Sequence, residues 1–146
     1  MKKYIFTTSS DVRYAETDKT GFVHYNNYSL YCEDAMSDAL KVLEIPRCLL
    51  ERDYDIGLLV TKYNIEFALS NIWQGLSFGD RCKIKVFICK LSSTKIIFLY
   101  ELYTLGHNLI GKASTELMFM NVKTNELINC PMAIFKKLKN YKEKKP

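Results

Sequence analysis

The chain has 146 residues, 48% of them hydrophobic and 25% charged, with a formal net charge of +5. This size and mixture fit one globular domain with a single core, and no apolar run approaches the ~20 residues that span a bilayer. The positive excess is concentrated in Lys136, Lys137, Lys139, Lys142, Lys144 and Lys145, which leaves the body near neutral and excludes a global nucleic-acid footprint.

Residues 1–6 carry two lysines and only a short apolar stretch, so the opening is expected to start a strand and not a signal peptide. A cytoplasmic protein is the expectation. Over residues 3–14, Tyr4, Phe6, Val12 and Tyr14 are spaced in twos, as in a strand. The period then changes: Tyr28, Tyr31, Cys32, Ala35, Met36, Ala39, Leu40 and Leu43 form a continuous helical stripe. Asn26 or Asn27 is placed to cap its first amides, and Glu33 and Asp34 lie towards the favourable end of the helix dipole. Pro46 marks the end of the stripe.

Residues 47–57 read as a connection with a short helical turn over 47–52. Beyond it Leu59, Thr61, Tyr63, Ile65, Phe67 and Leu69 alternate with the residues between them, until Gly75 and the Phe78-Gly79-Asp80 corner interrupt. Cys82, Ile84, Val86 and Ile88 share the next strand face, with Arg81, Lys83 and Lys85 opposite. Strands over 95–104 and 109–121 follow, joined by a hairpin turn at Leu105-Gly106-His107-Asn108. The pattern is α+β: one strand, one long helix and four strands, in which a curved antiparallel sheet covers a single amphipathic helix. Uncovered sheet edges favour association of copies. The domain is expected to occupy residues 1–130, and residues 131–146 a solvated basic tail.

The chemistry centres on Asp18, in the turn between the first strand and the helix. A carboxylate beside a helix N-terminus joins a base or nucleophile to a binding place for a developing oxyanion. Such a pair can hydrolyse an ester or thioester without serine, metal or cofactor. An Asp before Lys-Thr-Gly is also an ordinary turn former, and both readings stand on these residues alone. No G-x-S-x-G elbow, nucleotide fingerprint or metal-binding motif is present. Cys32, Cys48, Cys82, Cys89 and Cys130 are scattered without ligand spacing, as expected of reduced packing thiols.

Thr17-Asp18, Gly21, Val23, Tyr25 and Asn27-Tyr28 resemble the active-site segment of hotdog-fold thioesterases of the 4-hydroxybenzoyl-CoA thioesterase/YbgC type, over residues 4–129 or so. The resemblance implies the hotdog fold, a long central helix wrapped by a five-stranded antiparallel sheet in the order βαββββ. It implies an acyl-CoA thioesterase that needs no cofactor, coenzyme A being part of the substrate. Asp18 would attack the thioester carbonyl or activate water, and the Tyr25 backbone amide would polarise that carbonyl. Gly21 would permit the loop conformation and Thr17 would orient Asp18.

The resemblance is imperfect at His24, because YbgC-like relatives carry a histidine one position later, where this chain has Tyr25. His24 is therefore either a base or a pocket residue beside the helix cap. Glu33 stands where relatives carry an acid, in a secondary active-site role or as a surface acid on the dipole. Glu16 reads as structural and His107 as a surface residue. Lys90, Ser92, Ser93 and Lys95 bracket the turn where relatives hold CoA phosphates, and Tyr14, Phe22, Tyr28, Tyr63 and Phe78 are candidates for an acyl pocket. Family members are dimers or dimer-based tetramers with active sites between subunits, so a homodimer or homotetramer is implied. An acyl carrier protein thioester as substrate, a non-catalytic acyl-CoA-binding hotdog protein, and a tail-recruited RNA- or membrane-binding protein are the competing readings.

Overall fold

The computed structural model describes residues 2–69 and 75–141. The chain runs β1 (Lys3–Asp11), α1 (Tyr28–Val42), α2 (Arg47–Tyr54), β2 (Ile56–Phe67), β3 (Arg81–Leu91), β4 (Lys95–Tyr103), β5 (Leu109–Asn121), β6 (Leu127–Ile128) and α3 (Met132–Lys139). Five strands form one antiparallel sheet in the order β1-β3-β4-β5-β2, and the two-residue β6 adds to β5. This is the hotdog arrangement, α+β with one long helix against an open sheet.

The apolar stripe of α1 explains the packing. Tyr28, Tyr31, Cys32, Ala35, Met36, Ala39 and Leu40 are all buried, and the helix lies chiefly over β1 and β3. The sheet answers with period-2 alternation: Cys82, Ile84, Val86 and Ile88 of β3, and Ile96, Phe98, Tyr100 and Leu102 of β4, all face inward. Ala113, Leu117 and Phe119 of β5 continue that layer. Each large side chain so covered contributes roughly 1.5–3 kcal/mol. Two hydroxyls within the layer satisfy each other, since Tyr100 Oη and Thr115 Oγ1 lie 2.7 Å apart in a buried hydrogen bond.

Gly111 of β5 fixes how the end of β2 sits. A Cβ there would fall 2.6 Å from the Glu66 carbonyl and 3.2 Å from the Cα of Phe67. Only glycine lets the two backbones approach this closely, and Phe67 is thereby held over the N-terminal turn of α1, 5.2 Å from the Tyr28 ring.

Four local expectations change. β1 ends at Asp11 because the chain leaves the sheet: the Val12 amide donates to the Asp80 carbonyl and Arg13 starts a 3₁₀ turn, Tyr14–Glu16. The helical turn after Pro46 is a full two-turn helix that reaches Tyr54 and ends at a left-handed Asp55. β2 begins three residues before Leu59, paired with β5 from Ile56↔Asn121. The fourth concerns the basic tail. Over Met132–Lys139 it is helical, with Ile134 and Leu138 buried in the main core and the lysines on the outer side. An i, i+4 apolar pair is enough to dock a two-turn helix that composition alone assigns to solvent. Lys142, Lys144 and Lys145 lie outside the described residues.

Burial also accounts for the cysteines. Cys32, Cys82 and Cys130 are buried, whereas Cys48 is exposed and Cys89 half-buried, and all five are free. Burial pushes the Cys32 thiol up to about 12 and that of Cys130 up to about 11, so neither is a thiolate near neutrality.

The docked C-terminal helix is directly testable. Leu138→Ala should lower unfolding free energy by about 2–4 kcal/mol, whereas Lys139→Ala on its exposed side should change it by less than ~0.5 kcal/mol. Urea denaturation of the two variants measures this, and equal effects would show that the helix does not pack on the core.

Candidate active site

Between β1 and α1 the chain makes two 3₁₀ turns, Tyr14–Glu16 and Tyr25–Asn27, and a tight loop between them. The loop is pinched by the antiparallel bridge Thr17↔Val23 and by the Asp18 amide donating to the Phe22 carbonyl at 2.9 Å. Its reversal requires Gly21, which sits at φ +85°, in the region that side chains resist. Nothing lies near a Cβ built there, so the requirement is conformational and not one of space.

Asp18 stands at the start of this loop, and Thr20 holds its carboxylate. The Thr20 amide donates to Asp18 Oδ1 at 2.8 Å, and the Thr20 hydroxyl donates to the same oxygen. Among the described residues no hydrogen bond reaches Oδ2. The Thr20 hydroxyl, then the Thr20 amide, hold the Asp18 carboxyl below the ordinary carboxylate value, and the nearby His24 acts in the same direction against a small desolvation effect. The group is therefore a stable carboxylate at neutral pH. Orientation falls to Thr20 and not to Thr17, whose hydroxyl donates instead to the Tyr14 carbonyl at 2.7 Å. Sequence reasoning passed over Thr20, although an Asp with Thr two residues on is an Asx-turn signal.

The second 3₁₀ turn runs directly into α1, so Tyr25–Asn27 forms the leading end of the helix. The amides of His24, Asn26 and Asn27 are taken up by the Glu16 carbonyl, His24 Nδ1 and the His24 carbonyl. Among the described residues the Tyr25 amide has no such partner, which leaves it as a donor at the positive end of the helix. The expected caps are not made by Asn26 or Asn27: the Asn27 side chain reaches across to the Glu16 carbonyl at 2.9 Å, and His24 does the capping through Nδ1 at 3.2 Å. His24 also stacks on Tyr25, with centroids 4.4 Å apart.

Asp18, Thr20 and Tyr25 line a cavity of about 480 Å³ whose other walls are apolar: Phe22, Val23, Tyr28, Phe67 and Leu69. Of the aromatic candidates, Phe22 and Tyr28 line this cavity. Tyr14 and Phe78 do not; they make an exposed edge-to-face pair with centroids 5.9 Å apart. Tyr63 lies on β2, exposed and outside this cavity lining.

The remaining candidates fall elsewhere in a single chain. Glu33 is exposed on α1 and pairs with Arg47 at 4.0 Å, away from the cavity lining. Lys90, Ser92, Ser93 and Lys95 occupy the β3–β4 turn. There Ser92 Oγ accepts from the Lys95 amide, the Ser93 carbonyl accepts from Cys130 and Lys95 pairs with Glu116 at 3.3 Å. None of the four lines the Asp18 cavity. His107 is exposed in the β4–β5 turn.

No family model matches the chain. Sequence relatives do. A 1,4-dihydroxy-2-naphthoyl-CoA hydrolase of Thermosynechococcus vestitus is 24% identical over 120 residues, 82% of this chain and 79% of that protein. A putative esterase of Aquifex aeolicus is 26% identical over 129 residues, 88% and 94% of the two chains. Among solved structures, a DHNA-CoA thioesterase from Staphylococcus aureus superposes with a TM-score of 0.78 at 27% identity, covering 86% of this chain and 80% of its own. The chain has the hotdog fold of this structural neighbour, and the relatives it is similar to, at 24–27% identity, are described as CoA thioester hydrolases and a putative esterase.

Proposed function

We propose that the protein hydrolyses an acyl-CoA thioester to a carboxylic acid and free CoA, with Asp18 as the reacting carboxylate. The observation that carries this reading is the meeting of an ionised carboxylate and a free helix-terminal amide on one apolar-walled cavity. The CoA thioester hydrolase activities of the Thermosynechococcus vestitus and Staphylococcus aureus relatives support a CoA thioester as substrate. Apolar walls suit the acyl group, and the chemistry runs through side-chain and backbone groups, with CoA entering only as part of the substrate.

Carbonyl polarisation falls to the Tyr25 amide. As the carbonyl carbon becomes tetrahedral its oxygen gains charge, and a fixed amide dipole at the start of α1 stabilises that charge; one such donor is worth roughly 3 kcal/mol. Asp18 Oδ1 is occupied by Thr20, so Oδ2 is the oxygen that reacts. It can add to the carbonyl carbon while the C–S bond breaks and CoA leaves as thiolate, giving an anhydride that water opens. It can equally take a proton from water as that water adds, returning the proton to the departing sulfur. His24, stacked on Tyr25 with Nδ1 committed to the Asn26 amide, assists through the turn it caps.

In this reading the working unit is a homodimer or a dimer of dimers. β2 lies at the end of the sheet and exposes Leu59, Val60 and Tyr63, an edge and an apolar surface that a second copy would cover. Lys90 and Ser92 would then meet CoA phosphates from the neighbouring subunit, since within one chain their turn stands apart from the cavity. No helix among the described residues is long and apolar enough to cross a membrane.

Thiol release from short, long and aromatic acyl-CoAs tests the reading. Wild type should turn over at least one class, and Asp18→Asn should lose about a hundredfold or more while staying folded. Undiminished activity in that variant would refute the Asp18 mechanism. Tight acyl-CoA binding without turnover would favour a binding protein, and turnover of a carrier-protein thioester alone would change the substrate class. The pH profile gives a second check. Activity requires ionised Asp18, so it should persist on acidification until pH falls through a pKa held below the ordinary carboxylate range. Thr20→Val removes the largest cause of that depression and should move the acid limb of kcat/KM upward; an unmoved limb would show that Thr20 does not tune the reacting group.

A further inference from the structure

Two residues before Asp18, the carboxylate of Glu16 is buried, with the residue only 5% exposed. Oε1 accepts from the Arg13 backbone amide at 2.8 Å and from the Tyr31 hydroxyl at 3.0 Å. Oε2 accepts from the Arg13 guanidinium, Nε at 3.3 Å and Nη2 at 3.2 Å. The carbonyl of the same residue takes the His24 amide at 3.0 Å and the Asn27 side-chain amide at 2.9 Å. The chain leaving β1, the strand returning from the Asp18 loop and the first turns of α1 therefore meet on one residue. Among the described residues, Asp18 itself hydrogen-bonds only inside its own loop, to Thr20, Gly21 and Phe22.

We propose that Glu16 is a positioning residue: by tying the base of the Asp18 loop to Tyr31, one turn inside α1, it sets the carboxylate of Asp18 against the free Tyr25 amide. The inference rests on the catalytic reading of Asp18 given above and extends it. Its physical basis is the cost of the alternatives. A buried carboxylate holds its donors tightly, because a lost partner leaves a desolvated charge or hydroxyl behind. The loop therefore has one arrangement relative to the helix, and a displacement of about 1 Å between two reacting groups is enough to cost a hundredfold in rate. Glu16 touches no substrate; it acts through the loop and through the helix end.

The test uses Glu16→Gln and Tyr31→Phe in the full-length protein, measured with an acyl-CoA that wild type turns over, together with Asp18→Asn. Both variants should keep KM within about threefold and lose on the order of tenfold to a hundredfold in kcat. The two effects should be less than additive, since they break one linkage. In the Asp18→Asn background, Glu16→Gln should leave the residual rate unchanged. A rate for both Glu16→Gln and Tyr31→Phe within threefold of wild type overturns the proposal. So does a residual rate that falls by the same factor in the Asp18→Asn background, which is the mark of a merely unfolded fraction. Should Glu16→Gln fail to fold, Tyr31→Phe, which removes a single hydroxyl, carries the same comparison. Full activity in Asp18→Asn alone refutes the catalytic reading underneath, and is distinct from an inert Glu16→Gln beside an inactive Asp18→Asn.

Discussion

A helix that is apolar along one whole face must be covered for its whole length, and here a single sheet does most of the covering. Everything else follows from how that is achieved. The strands bring one residue in two to the helix, so the inner residues of β3, β4 and β5 are nearly all aliphatic or aromatic. Because the sheet is open, β1 and β2 lie at its ends. The connection from β1 to α1 therefore has to climb from a sheet edge onto the helix. That crossing takes two short 3₁₀ turns and a glycine-dependent loop, and the crossing is where the carboxylate sits.

The site is thus a by-product of a topological need, sharpened by polar contacts. A chain entering a buried helix exposes several amides with no intrahelical partner. In this protein several of them are satisfied by Glu16 and His24, and among the described residues the Tyr25 amide is left without such a partner. The same crossing carries Asp18, which lines the same cavity as Tyr25. Apolar walls come from two sides, Tyr28 from the helix and Phe67 from β2, and the latter reaches its place only because Gly111 allows the backbones to close. Core packing and reactive geometry are consequently the same set of contacts seen from two directions.

Much of this was legible beforehand because it is periodic or local. The stripe from Tyr28 to Leu43 has no other reading than a helix, and the last long strand, Leu109–Asn121, has the expected limits. The Asp18 loop was visible through Gly21 and its neighbours. What escaped depends on distant partners. Asn27 looks like a cap in sequence, but the carbonyl that claims its side chain is eleven residues away. Thr17 looks like the partner of Asp18 because it is adjacent, but the turn brings Thr20 to the carboxylate and sends the Thr17 hydroxyl to the Tyr14 carbonyl. The C-terminal helix was hidden by its own lysines, since two buried residues among three charges carry little weight in a composition. Glu33 and the β3–β4 turn were placed near the chemistry by resemblance alone, and a single chain does not bring them there.

The contact between the two ends of the chain has its own consequence. Tyr141 donates its hydroxyl to the Ile5 carbonyl at 3.3 Å across 136 positions, and Lys3 reaches the Tyr141 carbonyl. The first strand and Tyr141 are thus fastened to each other. During synthesis β1 emerges early and must wait for nearly the whole chain before this closure forms, and contacts of such long range are the ones that slow folding. Until then the seat of Ile134 and Leu138 in the core stays open to solvent. The nascent protein therefore passes through a period with an unfinished flank, which is the interval in which a chaperone has something apolar to hold.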